Sequence, residues 1–414
     1  MWDALVRWII SDAPRLPFEA IISGLGERLR AEHMPVERLS CRVMEVNPLS
    51  SGYSLTWQPG HDIQRHTPSR SKADSLHPRA AHGAGPMVHA EITAFGRLRL
   101  DQLPAGSWGL PQLYWDEHFT DVVAFATPRS LIGSATLLTF ATRDERGFTQ
   151  AQVDRIRELR DALGLVFDLR TQASLTQTLA HTYLGKGVSQ RVLSGQIHRG
   201  DGVTIPAALW FSDLRGFTVL ADRIPRDELI DLLNDAFESQ VTSVEEHDGE
   251  VLKFIGDGLL AIFPVNDATS PELTCQHALA AARACESRLA VVNDARAARS
   301  APTIEYGLAL HFGDVMYGNI GAPGRLDFTV IGPAVNLAAR LEGVAAQLGR
   351  PLVLSATFAS LSGAAVTSAG VHSLKGVTEP CEVFVPREVH VLPSERPRAW
   401  QALPKCHDGL PRLP

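Results

Sequence analysis

Apolar and β-branched residues alternate with polar ones over residues 41–46 and again over 53–58, and the turn-forming run Asn47-Pro48-Leu49-Ser50-Ser51-Gly52 between them predicts a hairpin. Two further apolar runs, 121–126 and 134–142, read as strands. They lead through a turn at 143–147 into a long helical stretch opening near Thr149. Within it Ile156, Leu159, Leu163 and Val166 recur at helical spacing, continued less regularly by Leu169, Leu175 and Leu179. Such a seam serves either a parallel helix dimer or one face of a helix packing on its own domain, and spacing alone does not choose. The amino-terminal third is therefore expected to be α+β.

Glycines and charges over 185–202 mark a domain junction. Beyond it strands are expected at 207–211, 251–255, 258–263, 303–312 and 328–331, and helices at 226–246, 271–295 and 335–348. That alternation predicts a sheet with helices packed on it. The His-, Pro-, Ser- and Arg-rich run 60–89 has no periodicity and reads as a loop. Its five histidines, His61, His66, His77, His82 and His89, lack metal-ligand spacing. Residues 391–414, polar and proline-rich, are expected to form a loose tail.

Composition narrows the picture little. The chain has 414 residues, 45% hydrophobic and 21% charged, which suits a folded protein of two or three domains. A formal charge of −7 without a long basic run gives no support for a nucleic-acid partner. No apolar stretch is long enough for a membrane span, and Asp3, Arg7 and Asp12 interrupt the start, so neither a span nor a signal peptide is expected. Five scattered cysteines without a CxxC pattern suggest a cytoplasmic setting.

Three segments carry candidate chemistry. In Phe211-Ser212-Asp213-Leu214-Arg215-Gly216-Phe217-Thr218 a carboxylate ends an apolar strand, and in Leu252-Lys253-Phe254-Ile255-Gly256-Asp257-Gly258 another sits in a Gly-flanked turn between apolar runs. Taken singly, Asp before Gly is an ordinary turn choice. Two such carboxylates on adjacent strands could hold the hard cations that accompany nucleoside triphosphates. In the third segment, residues 325–342, Gly332-Pro333 opens a helix that sets Asn336 and Arg340 at i, i+4 on one face, an amide and a guanidinium able to meet one ligand.

These three motifs, in this order and over about residues 205–385, resemble the catalytic domain of class III nucleotidyl cyclases. The resemblance implies a ferredoxin-like α/β sandwich, catalytically active as a homodimer with composite sites. It makes Asp213 and Asp257, with the backbone carbonyl of Leu214, the ligands of two divalent cations, Mg²⁺ or Mn²⁺. It makes Asn336 the residue that orients the ribose, Arg340 the one that stabilises charge at the α-phosphate, and Lys375 the holder of the terminal phosphates. Lys253 and Thr329 stand at the purine-reading positions. A Lys can donate to adenine N1 and a Thr hydroxyl can accept from the exocyclic amine, so ATP is expected over GTP. Asp327, two residues before the reader, is expected to be a strand-edge residue. Pro333 departs from the Asp or Lys common at that place in the family.

The amino-terminal part more weakly resembles a GAF-type sensor, in its order of strand, turn, Gly147-Phe148-Thr149 and long helix. The expected organisation is a GAF-like domain at 1–150 that senses a small-molecule regulator or a partner, with a degenerate dimerisation domain as the alternative, then a helical transducer at 151–202, the cyclase domain at 203–388 and a tail at 389–414. The function implied is adenylate cyclase. A guanylate cyclase and a non-catalytic nucleotide-binding or dimerisation module are the alternatives; the absence of a GGDEF sequence disfavours a diguanylate cyclase.

Overall fold

The computed structural model describes residues 2–44, 52–67, 95–105, 111–127, 135–377 and 379–387. The chain divides into two compact units, 1–182 and 183–414. Among the described residues no helix is long and apolar enough to cross a membrane.

The first unit is built on a six-stranded antiparallel sheet in the order β3-β2-β1-β6-β5-β4, from β1 (Arg38–Met44), β2 (Tyr53–Trp57), β3 (Gln64–His66), β4 (Gly96–Arg99), β5 (Asp121–Ala126) and β6 (Ala135–Thr142). The expected hairpin is present, with Leu39 opposite Trp57 and Val43 opposite Tyr53. Strand alternation sends Leu39, Cys41 and Val43 into one core. Three helices close over that face: α1 (Trp2–Ser11), α2 (Phe18–Ala31) and α4 (Gln150–Leu184), while the short α3 (Leu113–Asp116) covers the other.

The helical seam finds its partner inside this unit. Ile156, Leu159, Leu163, Val166 and Phe167 are all buried in the amino-terminal core, which removes them from service as a dimer stripe. A buried carboxylate anchors the start of this helix: Asp121 accepts from the Phe148 amide at 2.9 Å and from Arg97 Nη2 at 2.7 Å, and Arg97 Nη2 also donates to the Phe148 carbonyl at 2.6 Å. The run read as a loop contains a short edge strand, β3, whose three residues are exposed and leave no burial pattern to read. His77, His82, His89 and the proline-rich tail lie outside the described residues.

In the second unit the expected junction holds a helix, α5 (Lys186–Leu193), that buries Val188 on the sheet. Glycines at both ends had hidden it. The sheet runs β13-β14-β12-β10-β7-β9-β8, with β11 on β10. Its strands are β7 (Gly202–Leu214), β8 (Glu250–Ile255), β9 (Gly258–Pro264), β10 (Tyr306–Ala322), β11 (Arg325–Ile331), β12 (Leu352–Ser355), β13 (Val366–His372) and β14 (Cys381–Pro386). On central strand β7, Ala208 and Trp210 face the core covered by α7 (Arg226–Glu245) and α8 (Pro271–Ala298), with α10 (Ala356–Ser362) beside them. Ala207 and Leu209 face the opposite core, to which α9 (Pro333–Leu348) contributes Ala334 and Ala338. A short helix, α6 (Phe217–Ala221), follows β7.

Strand β10 starts later than expected, at Tyr306, and runs ten residues further, to Ala322, because it pairs along β7 as far as Gly202 opposite Gly318 and then folds back on β11.

Candidate active site

Asp213 lies next to the end of β7, opposite Gly307 of β10, and Asp257 sits in the two-residue turn between β8 and β9. Gly256 adopts φ +65° there, a backbone state that favours glycine. Gly258 brings the two turns close: a Cβ on it would stand 2.6 Å from the Ser212 carbonyl and 3.1 Å from Asp213 Oδ1. With that space left open the Asp213 and Asp257 carboxyl groups stand near enough for the charge of one to act on the other.

Burial pushes the Asp213 carboxyl up to about 6; the neighbouring charges of Asp257 and Glu342 add to the rise and Arg215 opposes it. Two carboxylates pressed together in a partly desolvated turn repel, and a divalent cation between them relieves both burial and repulsion. The donor set, hard carboxylate oxygen without sulfur or imidazole, fits Mg²⁺ or Mn²⁺. Among the described residues no group of three or more His, Cys, Asp or Glu forms a cage. Mg²⁺ is commonly held by one or two carboxylates, with water and phosphate oxygens completing the shell.

Two residues that sequence reasoning passed over support this turn. Arg215 Nη1 meets Glu342 Oε1 of α9 at 2.9 Å, and the guanidinium lies over the bare Cα of Gly307, where a methyl group would collide with it. Burial also raises the Glu342 carboxyl, with Arg215 opposing. Both residues lie inside the quoted motifs, but their pairing crosses the sheet and has no local signal. Behind the strand, Trp210 Nε1 donates to Ser212 Oγ at 3.3 Å and Ser212 Oγ donates to Gln240 Oε1, fixing the residue before Asp213. Leu214 is buried, and the amide of Arg215 donates to the Glu305 carbonyl at 2.8 Å.

The proposed base readers lie on neighbouring elements. Lys253 of β8 donates to Asp327 Oδ2 of β11 at 2.8 Å, so the exposed Asp327 links the two strands. Thr329, two residues along β11, is only 5% exposed, and its hydroxyl is buried without a hydrogen-bond partner. Such an orphaned group is uncommon in a folded interior and leaves an acceptor free.

Asn336 and Arg340 share the exposed side of α9, while Ala334, Ala338, Leu341 and Glu342 are buried. Helical periodicity makes the separation: the same helix braces Arg215 with Glu342 and shows Asn336 and Arg340 to solvent. Lys375 is exposed in the turn after buried Leu374, where Gly376 has φ +80°. Among the described residues no hydrogen bond or ion pair joins Asn336, Arg340 or Lys375 to the carboxylate pair. The structure thus brings together Asp213 with Asp257, and Lys253 with the strand of Thr329.

The family model of the adenylate and guanylate cyclase catalytic domain matches residues 201–386. Those residues are a class III cyclase catalytic domain. The chain is 36% identical over 187 residues to an uncharacterised protein of Mycobacterium tuberculosis, covering 44% of this chain and 32% of that protein. It is 33% identical over 147 residues to adenylate cyclase 1 of Rhizobium meliloti, covering 35% of this chain and 22% of that enzyme. The chain thus spans about a third or less of the length of these curated relatives. Among solved structures, the adenylyl cyclase CyaB of P. aeruginosa aligns with 46% of this chain and 100% of that one, at 24% identity and a TM-score of 0.42.

Proposed function

We propose that the chain is an adenylate cyclase that converts ATP to 3′,5′-cyclic AMP and pyrophosphate, at sites completed by a second copy. The observation that carries this reading is the juxtaposition of Asp213 and Asp257, two carboxylates on turns that Gly258 lets approach, where two divalent cations would be held, with the Leu214 carbonyl assisting. The cations supply Lewis-acid activation of the ribose 3′-hydroxyl and neutralise triphosphate charge.

The chain's own side chains do the rest. Lys253 donates to adenine N1, and the unpartnered Thr329 hydroxyl accepts from the exocyclic amine. Guanine offers a protonated N1 and an O6 acceptor instead, which this pair matches less well. Asn336 orients the ribose, Arg340 stabilises the charge that develops at the α-phosphate, and Lys375 holds the terminal phosphates. Asn336 and Arg340 stand exposed on α9 without a bond to their own chain's carboxylates, which supports a site shared between two copies.

The amino-terminal unit is read as a GAF-like sensor for a small molecule, from its antiparallel sheet with helices on one face and the long α4 leading out. The catalytic assignment runs over 203–388, with 151–202 as transducer. The test is product formation from ATP or GTP with Mn²⁺ or Mg²⁺, beside Asp257→Ala. Cyclic AMP from the wild type alone is the expected result. Undiminished turnover in Asp257→Ala would sink the metal assignment, and cyclic GMP as the main product would overturn the base choice.

A further inference from the structure

We propose that a second site in the carboxyl-terminal unit, apart from the carboxylate pair, binds a small planar aromatic ring carrying one anionic group. It is a cavity of about 390 Å³ lined by Arg191, Gln196, Asp201, Val203, Tyr317 and Phe328, together with the backbone of Gly200 and Gly202. That volume lies within the range of small-molecule sites.

The walls define the ligand. Tyr317 and Phe328 are 1% and 8% exposed and meet edge to face, ring centroids 4.8 Å apart, so they form a fixed aromatic back wall of which Phe328 shows the larger part. The Tyr317 hydroxyl is already engaged, donating to Glu250 Oε2 at 2.7 Å, which holds the ring in place. The Arg191 guanidinium stands over the Tyr317 ring, 4.9 Å from its centroid. Among the described residues no carboxylate forms an ion pair with Arg191. The one acidic residue in the lining, Asp201, accepts from the His198 amide at 3.0 Å through its Oδ2. A stacked guanidinium without a carboxylate partner beside an aromatic corner suits a carboxylate or phosphate borne on a flat ring.

Two glycines belong to the lining. A Cβ on Gly202 would stand 3.2 Å from both the Met316 methyl and the Tyr317 carbonyl, whereas one on Gly200 would meet nothing within 4 Å. The site also touches the strands proposed to read the base. Phe328 immediately precedes Thr329, and Glu250, bonded to Tyr317, lies on β8 with Lys253. An occupant therefore touches β11 directly and reaches β8 only through the Tyr317–Glu250 bond, although its binding does not depend on the cyclase reading.

Benzoate, neutral benzamide and 3′,5′-cyclic AMP are titrated into the full chain by ligand-observed NMR, with Arg191→Gln and with Val203→Trp, which puts a larger side chain into the lining. Expected are saturable benzoate binding at millimolar concentration, benzamide weaker by about tenfold or more, loss of that preference in Arg191→Gln, and blockage in Val203→Trp. Displacement of benzoate by cyclic AMP in the wild type and not in Arg191→Gln assigns a nucleotide as the source of the anion. Its failure assigns free aromatic acids. Equal binding of benzoate and benzamide, unchanged benzoate binding in Arg191→Gln, or no saturable benzoate binding overturns the proposal. If Arg191→Gln loses its native circular dichroism, Val203→Trp and the benzamide comparison decide.

Discussion

Lys253 and Asp327 join β8 to β11 through a 2.8 Å ion pair, although 74 residues separate them in the chain. The pair holds the ammonium beside the strand on which the Thr329 hydroxyl is buried without a partner. That hydroxyl weakens the empty fold and strengthens a bound one, because a buried donor or acceptor left unmade costs about 1–3 kcal/mol.

Thr329→Val keeps the shape and removes the orphan. It should make the nucleotide-free chain more stable, by about 1 kcal/mol in urea unfolding, and raise the KM for ATP roughly tenfold with a smaller effect on kcat. A variant both less stable and unaltered in KM would contradict the base-reading role.

His311 supplies a pH dependence of its own. It is buried on β10, with Nδ1 2.9 Å from Ser355 Oγ, and desolvation pushes its imidazole down to about 4 from 6.5. The unfolded chain takes up a proton near pH 6.5 that the folded chain refuses until about pH 4. Stability that His311 contributes above pH 6.5 is therefore lost as the pH falls through that window, by roughly 3 kcal/mol at most. His311→Asn should flatten the decline between pH 7 and 4.5, measured by urea midpoints. An identical decline in the variant would assign it to other groups.

Asp121 is fully buried and serves both Arg97 and the Phe148 amide. Asp121→Ala leaves the Phe148 amide without its acceptor and the Arg97 guanidinium without its carboxylate, and should destabilise the amino-terminal unit by about 3 kcal/mol. The same substitution frees the turn before α4. Hydrogen exchange should rise at Phe148 and through the first turn of the helix, while the cyclase sheet stays protected.

The local features were legible because they are local. Asp213 lies next to the end of its strand, Asp257 sits in its turn, and Pro333 opens its helix, each within a few residues of a glycine. What escaped depends on distant partners. The spacing of Ile156, Leu159, Leu163 and Val166 is the same whether the face meets a second helix or the sheet of its own unit, and only the fold chooses. Arg215 with Glu342, and Lys253 with Asp327, are cross-element pairs that no periodicity announces. The extension of β10 went unread because Gly313, Gly318 and Gly321 break the apolar rhythm, while β7 supplies the pairing that extends it.

On the proposed reading of a site shared between two copies, the outward placement of Asn336 and Arg340 would make the active centre divisible between genes. Two copies, one spoiled by Asp257→Ala and the other by Arg340→Ala, would each be silent alone. Mixed, they would form some pairs in which one site inherits its carboxylates and its guanidinium from the undamaged halves. Recovery of turnover in the mixture, approaching a quarter of wild type if pairing is random, would be a case of complementation between alleles. A permanently silent mixture would mean that each chain works with its own Arg340.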